Sequence, residues 1–157
     1  MLAEEMMVRD VVTADKSERI GEVLQRMRQK KLRMLPVVDD SGLVLGVFST
    51  FSLLSHIVPD YIVSGDLDSL SYAPDIGILY KHYEQLSEQD MASVMDDEPL
   101  CVHLHDSLLS VAASLVARAR YEYVLVVNEH KQLQGIISSG DILDMLHELK
   151  PGGQDNA

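Results

Sequence analysis

A hydroxyl and a carboxylate stand close together where an apolar segment gives way to a helical pattern. Ser138 precedes Asp141 by one helical turn, and the apolar pair Ile136 and Ile137 comes directly before them. A carboxylate at the start of a helix is favoured by the helix dipole, and its two oxygens can accept hydrogen bonds from two vicinal hydroxyls. A serine hydroxyl one turn back adds a further polar contact. These two side chains could therefore contact a vicinal diol.

The same residues also fit a purely structural role. Asp141 can cap the helix that follows, and Asp144 adds a second negative charge near the helix start. A cap occupies only one carboxylate oxygen, so capping and ligand binding are compatible.

The arrangement occurs twice, because the chain contains two copies of one unit. At the earlier position Ser49 is followed by Ser52 instead of an aspartate. The two copies align along their length with one inserted residue in the second copy. Aligned pairs are Met7 with Met95, Ile20 with Leu108, Pro36 with Leu125, Gly46 with Gly135, and Ser49 with Ser138.

Each copy predicts the order strand, helix, strand, strand, helix. Ser17 and Ser107 are candidate N-caps of the first helix in the two copies, and the closing helices end near Pro59 and Pro151. One copy is too short to bury a sufficient core, so the two are expected to pack sheet to sheet. The apolar stripes of the first helices are Ile20, Val23, Leu24 and Met27 in one copy, and Leu108, Val111, Ala112, Leu115, Val116 and Ala119 in the other.

The insertion at residues 59–90 carries an additional helical pattern. Its second half predicts an amphipathic helix from Asp75 to Glu88. We expect this helix to pack on an outer surface of the domain or on a second subunit; a lid over a ligand is the alternative. Its apolar stripe is Ile76, Leu79, Tyr80, Tyr83 and Leu86.

Composition excludes several classes of function. The formal net charge is −12 over 157 residues, which opposes nucleic-acid binding. The short basic cluster at 26–33 is interpreted as the solvated side of a helix. No apolar run is long enough to span a membrane, and the acidic N-terminus does not resemble a secretory signal. Because Cys101 is the only cysteine, an internal disulfide framework is excluded, and a cytoplasmic location is expected.

Three stretches together carry a resemblance to a known family. They are VVTADKSERIGEVL, RMLPVVDDSGLVLGVFS and YVLVVNEHKQLQGIISSGDIL. The chain resembles a cystathionine β-synthase (CBS) domain pair, or Bateman module. The resemblance implies an α/β fold of tandem repeats about a pseudo-twofold axis. It assigns 5–58 and 91–149 to the repeats, 59–90 to an insertion with its own helix, and 150–157 to a tail.

The resemblance also implies a ligand site that uses residues of both repeats. In this family, residues in the place of Ser138 and Asp141 bind the ribose of an adenosyl ligand. The base is then expected near Val12, Thr13 and Ala14. The pocket is completed by Leu32, Arg33 and Met34, among which Arg33 is the basic side chain that could reach a phosphate, or else a surface arginine.

The second cleft departs from the family pattern. It would use Ser49, Ser52, Cys101 and Glu122, so a serine replaces the carboxylate and Glu122 would repel a phosphate. Since a charge-assisted hydrogen bond contributes about 1.5–3 kcal/mol, we predict one competent site.

Other candidate groups favour simpler interpretations. His103 and His105 have a spacing that metals can use, but no third ligand is close in the sequence, and solvated histidines are expected. Asp66 and Asp68 are interpreted as part of a turn. Nothing in the sequence assembles a nucleophile, a base and an oxyanion donor, so we predict neither a metal site nor an enzyme.

The sequence thus predicts a stand-alone regulatory module without an obligatory cofactor. The expected ligand is AMP, ADP, ATP or S-adenosylmethionine, and the expected output goes to an unidentified protein partner in trans. A homodimer is expected by resemblance. The alternative is a dimerisation or interaction scaffold whose clefts bind nothing, and a more distant one is a small metal-binding protein built on His103 and His105.

Overall fold

The computed structural model describes residues 1–65, 76–118 and 121–149. Pro151, Ala119, Asp75, Asp66 and Asp68 lie outside the described residues. The helices and strands are α1 (Ala3–Met6), α2 (Ile20–Gln29), β1 (Met34–Val38), β2 (Val44–Ser49), α3 (Thr50–Ile57), α4 (Asp60–Val63), α5 (Ile76–Ser87), a 3-10 turn (Met91–Ser93), β3 (Cys101–His103), α6 (Leu108–Ala117), β4 (Tyr123–Val127), β5 (Leu133–Ser138) and α7 (Ser139–Glu148). The α/β class and the tandem repeats predicted from the sequence are confirmed.

The chain divides into two compact units. The first unit is Val12–Glu98, and the second combines Met1–Val11 with Pro99–Ala157. Each unit therefore contains most of one repeat together with the first residues of the other repeat. Among the described residues, no helix has the length and apolar character needed to cross a membrane.

The first unit is built on an antiparallel pair of strands. β1 pairs with β2 from Met34 opposite Ser49 onwards. A core of apolar side chains packs around this pair, with Phe48 fully buried within it. The core comprises Ala14, Ile20, Val23, Met27, Leu35, Val37, Phe48, Leu53, Ile57, Met91 and Val94.

The second unit has a third strand in its sheet. β3 runs parallel to β4, and β4 pairs antiparallel with β5. Its buried core is formed by Ala3, Met7, Val102, Val111, Leu115, Val124, Val126, Ile137 and Ile142.

The expected first strand of the first repeat is reduced to a single parallel bridge between Ala14 and Val37. In the second repeat the Leu125 N–H donates to the Leu100 carbonyl at 2.9 Å, which extends the parallel pairing. The residue aligned with Leu125 is Pro36, which has no N–H to donate. The corresponding bond cannot form, so the strand ends after one bridge.

In each unit, the first residues of the other repeat pair with a strand. Val47 and Asp96 exchange backbone hydrogen bonds of 2.8 and 2.9 Å in the first unit. In the second unit Val8 and Ile136 exchange two bonds of 2.9 Å. These crossings place backbone directly against β2 and β5, at the position of an aligned glycine in each repeat.

The helix caps agree with the sequence in one repeat and differ in the other. Ser107 is the N-cap of α6, and its hydroxyl accepts from the Ser110 N–H at 3.2 Å. The prediction for Ser17 is wrong, because α2 begins after Arg19. The Ser17 hydroxyl instead donates to Asp15 at 2.6 Å, within a local turn.

The insertion helix α5 packs within the first unit, against α2 and α3. Leu79, Tyr83 and Leu86 contact the core and are partly buried. The His82 Nδ1–H donates to the carbonyl of Ile57, the last residue of α3, at 2.7 Å. The described part of the predicted stripe is therefore only partly covered, because Ile76 and Tyr80 are exposed.

Replacement of Leu79 by aspartate is expected to destabilise the protein. The change removes an apolar contact with the core and introduces a charge. Full burial of a leucine contributes roughly 1.5–3 kcal/mol, and the partly buried Leu79 contributes a fraction of that. The Tyr80→Asp variant is the matched control, because Tyr80 is 61% exposed on the same helix. Urea denaturation with equal losses for the two variants would contradict the packing of α5.

Candidate functional site at the β5–α7 junction

Ser138 and Asp141 form a reciprocal cap at the start of α7. Ser138 is the last residue of β5 and has extended backbone angles, so it serves as the N-cap. Its hydroxyl accepts from the Asp141 N–H at 3.0 Å, and Asp141 Oδ2 accepts from the Ser138 N–H at 2.9 Å. Both residues are half-buried. This is a capping box, in which two otherwise unpaired N–H groups are satisfied.

The capping box uses only part of the hydrogen-bonding capacity of Asp141. Within the described chain, the protein bonds of this carboxylate go to Oδ2, and none reaches Oδ1. A carboxylate has about four acceptor positions over its two oxygens. Asp141 can therefore cap α7 and still accept hydrogen bonds from a ligand, as the sequence argument required.

The aligned junction of the first repeat is built in the same way but has no carboxylate. Ser49 is the N-cap of α3, and its hydroxyl accepts from the Ser52 N–H at 3.0 Å. The Ser52 hydroxyl donates its single proton to the Ser49 carbonyl at 2.9 Å and accepts from the Ser49 N–H at 3.2 Å. Ser52 thus offers neither a charge nor a free proton to a ligand.

The residues predicted to surround the base lie in the first unit. Ala14 is 2% exposed and belongs to the core, so it can offer a ligand mainly its backbone. Val12 and Thr13, which precede it, are half-buried. Leu32, Arg33 and Met34 form the entry to β1, and Arg33 is exposed.

In each unit a charged residue directly precedes the strand that pairs with the strand ending at the strand–helix junction. In the first unit the Arg33 carbonyl accepts from the Thr50 N–H at 2.9 Å, beside the start of α3. In the second unit the exposed Glu122 precedes Tyr123, which lies opposite Ser138 in the sheet. Burial, reinforced by Glu122, raises the pKa of Tyr123 well above its usual range, so its hydroxyl stays protonated.

One contact of the predicted base segment was missed by the sequence argument. Arg26, interpreted as solvated, donates through Nη1 to the Thr13 carbonyl at 3.1 Å. The same guanidinium forms an ion pair with Glu18. Partial burial would raise the pKa of Glu18, but hydrogen bonds from Arg26 and from the Asp15 N–H outweigh it, and the pKa lies below its ordinary value. Glu18 is therefore ionised near neutral pH and holds the arginine in place.

Cys101 lacks the surroundings of a reactive thiol. The residue is exposed as a whole, but its sulfur has lost enough water to raise the pKa of the thiol despite the nearby Lys131. Reactive cysteines have a lowered pKa.

The two histidines flagged in the sequence line a shallow surface pocket of about 220 Å³ with His130. His105 Nδ1 lies 3.2 Å from a carboxylate oxygen of Glu4. Over residues 1–65, 76–118 and 121–149, no group of three or more histidine, cysteine, aspartate or glutamate side chains could hold a metal ion.

Comparison with known proteins identifies the repeats. The family model of the CBS domain matches residues 3–59 and 91–148, which together make up most of the chain. The chain belongs to the CBS domain family.

Among curated proteins, the chain is 25% identical over 141 residues to the chloroplastic CBS domain-containing protein CBSX2 of Arabidopsis thaliana. The alignment covers 85% of this chain and 58% of the relative, so the chain spans little more than half of that protein's length.

Solved structures of CBS proteins have the same fold. A CBS domain-containing protein of Bacillus anthracis matches with a TM-score of 0.72 at 20% identity, over 96% of this chain and 95% of that one. CBSX2 in complex with AMP matches with a TM-score of 0.69 at 21% identity, over 94% and 96% of the two chains. The CBS pair of protein MJ0100, in complex with 5′-methylthioadenosine and S-adenosyl-L-methionine, matches with a TM-score of 0.66 at 17% identity, over 96% and 98%.

Proposed function

We propose that this CBS protein is a regulatory module that binds an adenosyl ligand, with the ribose hydroxyls on Asp141 and Ser138. The observation that carries the proposal is the capping box that leaves Asp141 Oδ1 without a protein partner within the described residues. One related structure contains AMP, and another contains 5′-methylthioadenosine and S-adenosyl-L-methionine; all three ligands share the adenosine group. The proposed role is sensing rather than catalysis.

The rest of the proposed site follows the sequence argument. Val12, Thr13 and Ala14 would contact the base, while Leu32, Arg33 and Met34 would complete the pocket. Arg33 is exposed and cationic, which suits contact with a phosphate. Ser49, Ser52, Cys101 and Glu122 would form a second cleft of much lower affinity.

Occupancy would be signalled to a protein partner in trans. An adenosyl ligand that binds one arrangement of the protein more tightly shifts the population towards that arrangement, and the partner responds to the shift. The strongly acidic chain, with net charge −12, disfavours nucleic acid as that partner. A single cysteine suits a reducing compartment such as the cytoplasm.

A thermal-shift panel of AMP, ADP, ATP and S-adenosylmethionine tests the proposal. A ligand that binds only the folded protein raises the melting temperature progressively as its concentration exceeds Kd. We expect at least one of the four to do so, and adenine-free ribose phosphate to have no effect at the same concentrations. If none of the four shifts the transition, the ligand-free interaction scaffold is the better description.

We also propose that the module is a homodimer that associates through α6. In the first unit the end of α5 covers the start of α2, where a Cβ added at Gly21 would lie 3.2 Å from the Ser87 carbonyl oxygen. The α6 residue aligned with Gly21 is Leu109, which is 81% exposed, as is Val116. Residues 108–117 include no charged side chain, so two acidic copies can approach there with little repulsion.

A Leu109→Glu, Val116→Glu double variant is expected to be monomeric, because it brings charge into the proposed contact. Arg28 is aligned with Val116 on α2, so Arg28→Glu is the control and should retain the dimer. Light scattering coupled to size exclusion measures the mass of each variant. A monomeric wild type, or a dimeric double variant, would contradict association through α6.

A further inference from the structure

We infer that Arg26 is a positioning residue for the proposed adenosyl site: its guanidinium fixes the backbone of Thr13, the residue expected beside the base. The inference rests on the proposed function. It adds a side chain that is not itself expected to touch the ligand.

The need for such a residue follows from Pro36. Because proline cannot donate, the Val12 carbonyl lacks the bond that the Leu100 carbonyl receives from Leu125 in the other repeat. Among the described residues, the backbone bonds between this segment and β1 are those of Ala14: its N–H donates to the Pro36 carbonyl at 3.0 Å, and its carbonyl accepts from the Val38 N–H at 2.9 Å. Residues 12 and 13 therefore lie beyond the last sheet hydrogen bond.

Arg26 supplies the missing restraint from the helix side. Its Nη1 lies 3.1 Å from the Thr13 carbonyl oxygen, and its side chain is 33% exposed. Glu18 pairs with both terminal nitrogens, while its Oε1 also accepts from the Asp15 N–H at 3.0 Å. The Glu18 carboxylate thus links the Arg26 guanidinium to the turn that directly follows Thr13.

The second repeat keeps the turn but has no arginine at the aligned position. Asp106, aligned with Glu18, accepts from the His103 N–H at 2.8 Å. The residue aligned with Arg26 is Ser114, whose hydroxyl donates to the Ser110 carbonyl at 3.0 Å within α6. The arginine therefore occurs in the repeat that contributes Thr13 to the competent site, and a serine stands in the repeat that contributes Cys101 to the degenerate one.

The test compares affinities of adenosine, AMP and ATP for the full chain by calorimetry at 15 °C, with folding checked by circular dichroism. We expect Arg26→Met to weaken all three by the same factor, about tenfold, which corresponds to about 1.4 kcal/mol. The equal factor follows because the Thr13 backbone is expected to contact the base that the three share. Arg26→Lys, which restores one donor, should recover part of the loss, and Arg28→Met on the exposed face should change nothing.

Each other outcome overturns the inference in a different way. If Arg26→Met weakens the binding of ATP but not of adenosine, Arg26 acts on the phosphates through its charge and is not a positioning residue. If the wild type binds and Arg26→Met binds equally well, the positioning role fails while the proposed function stands. If the wild type binds none of the three, the inference fails. The proposed function fails with it when ADP and S-adenosylmethionine do not bind either.

Discussion

An Asp141→Ser variant is expected to lose adenosyl-ligand binding while keeping its fold. The substitution copies the junction of the first repeat, where a serine at the same position completes a capping box with Ser49. The helix start therefore remains satisfied, and the loss of stability should stay below about 1 kcal/mol. What disappears is the charged acceptor for the ribose hydroxyls, which should weaken affinity roughly ten- to a hundred-fold.

The matched control is Asp144→Ser, which removes the same charge from an exposed position one turn further along α7. Calorimetric titration should give wild-type affinity for this control and a strong loss for Asp141→Ser. If Asp141→Ser binds the ligand as tightly as Asp144→Ser does, the carboxylate of Asp141 contributes nothing beyond its charge near the helix start. The assignment of the ribose to Asp141 is then wrong.

Alanine at Gly46 or Gly135 is expected to be strongly destabilising. A Cβ at Gly46 would lie 2.5 Å from the carbonyl oxygen of Asp96, and one at Gly135 would lie 2.7 Å from that of Val8. These oxygens accept the hydrogen bonds that join the preceding segments to β2 and β5, so neither can withdraw without breaking that pairing. Overpacking of this kind costs about 1–3 kcal/mol.

Gly77 provides the control, since a Cβ there would meet no atom within 4 Å. Gly77→Ala should leave the free energy of unfolding unchanged or raise it by about 0.5–1 kcal/mol, because alanine favours a helix. Urea denaturation of the three variants separates the effects. Wild-type stability in Gly46→Ala and Gly135→Ala would mean that the crossing segments do not lie against the strands.

The repeat and its elements were predictable from the sequence because they depend on local patterns. Two such patterns are the apolar spacing of α2 and α6 and the serine one turn before Asp141. Each involves interactions between residues that are close in the sequence. The capping box at Ser138 has the polar spacing that the sequence argument identified. The N-cap prediction was wrong at Ser17, because its hydroxyl donates to the Asp15 carboxylate instead of capping α2.

Features that depend on distant partners were not predictable in the same way. Arg26 looks solvated because its acceptor, the Thr13 carbonyl, precedes the helix and carries no side-chain signal. The shortening of the first strand could have been predicted from Pro36, which has no N–H to donate to the Val12 carbonyl. That prediction requires the register between Val12 and β1, which the local pattern does not give. For α5 the apolar periodicity predicts the helix. Which of its apolar residues are buried depends on contacts with distant parts of the first unit, and the periodicity does not show these contacts.

The most direct test of the regulatory proposal is calorimetric titration of the wild-type protein with AMP, ADP, ATP and S-adenosylmethionine. We predict that at least one of them binds with a stoichiometry of one per chain. Within the described residues Asp141 Oδ1 has no protein partner, whereas Ser52 carries no charge and already donates its hydroxyl proton to Ser49. Absence of binding by all four, or two sites of similar affinity per chain, would contradict the account.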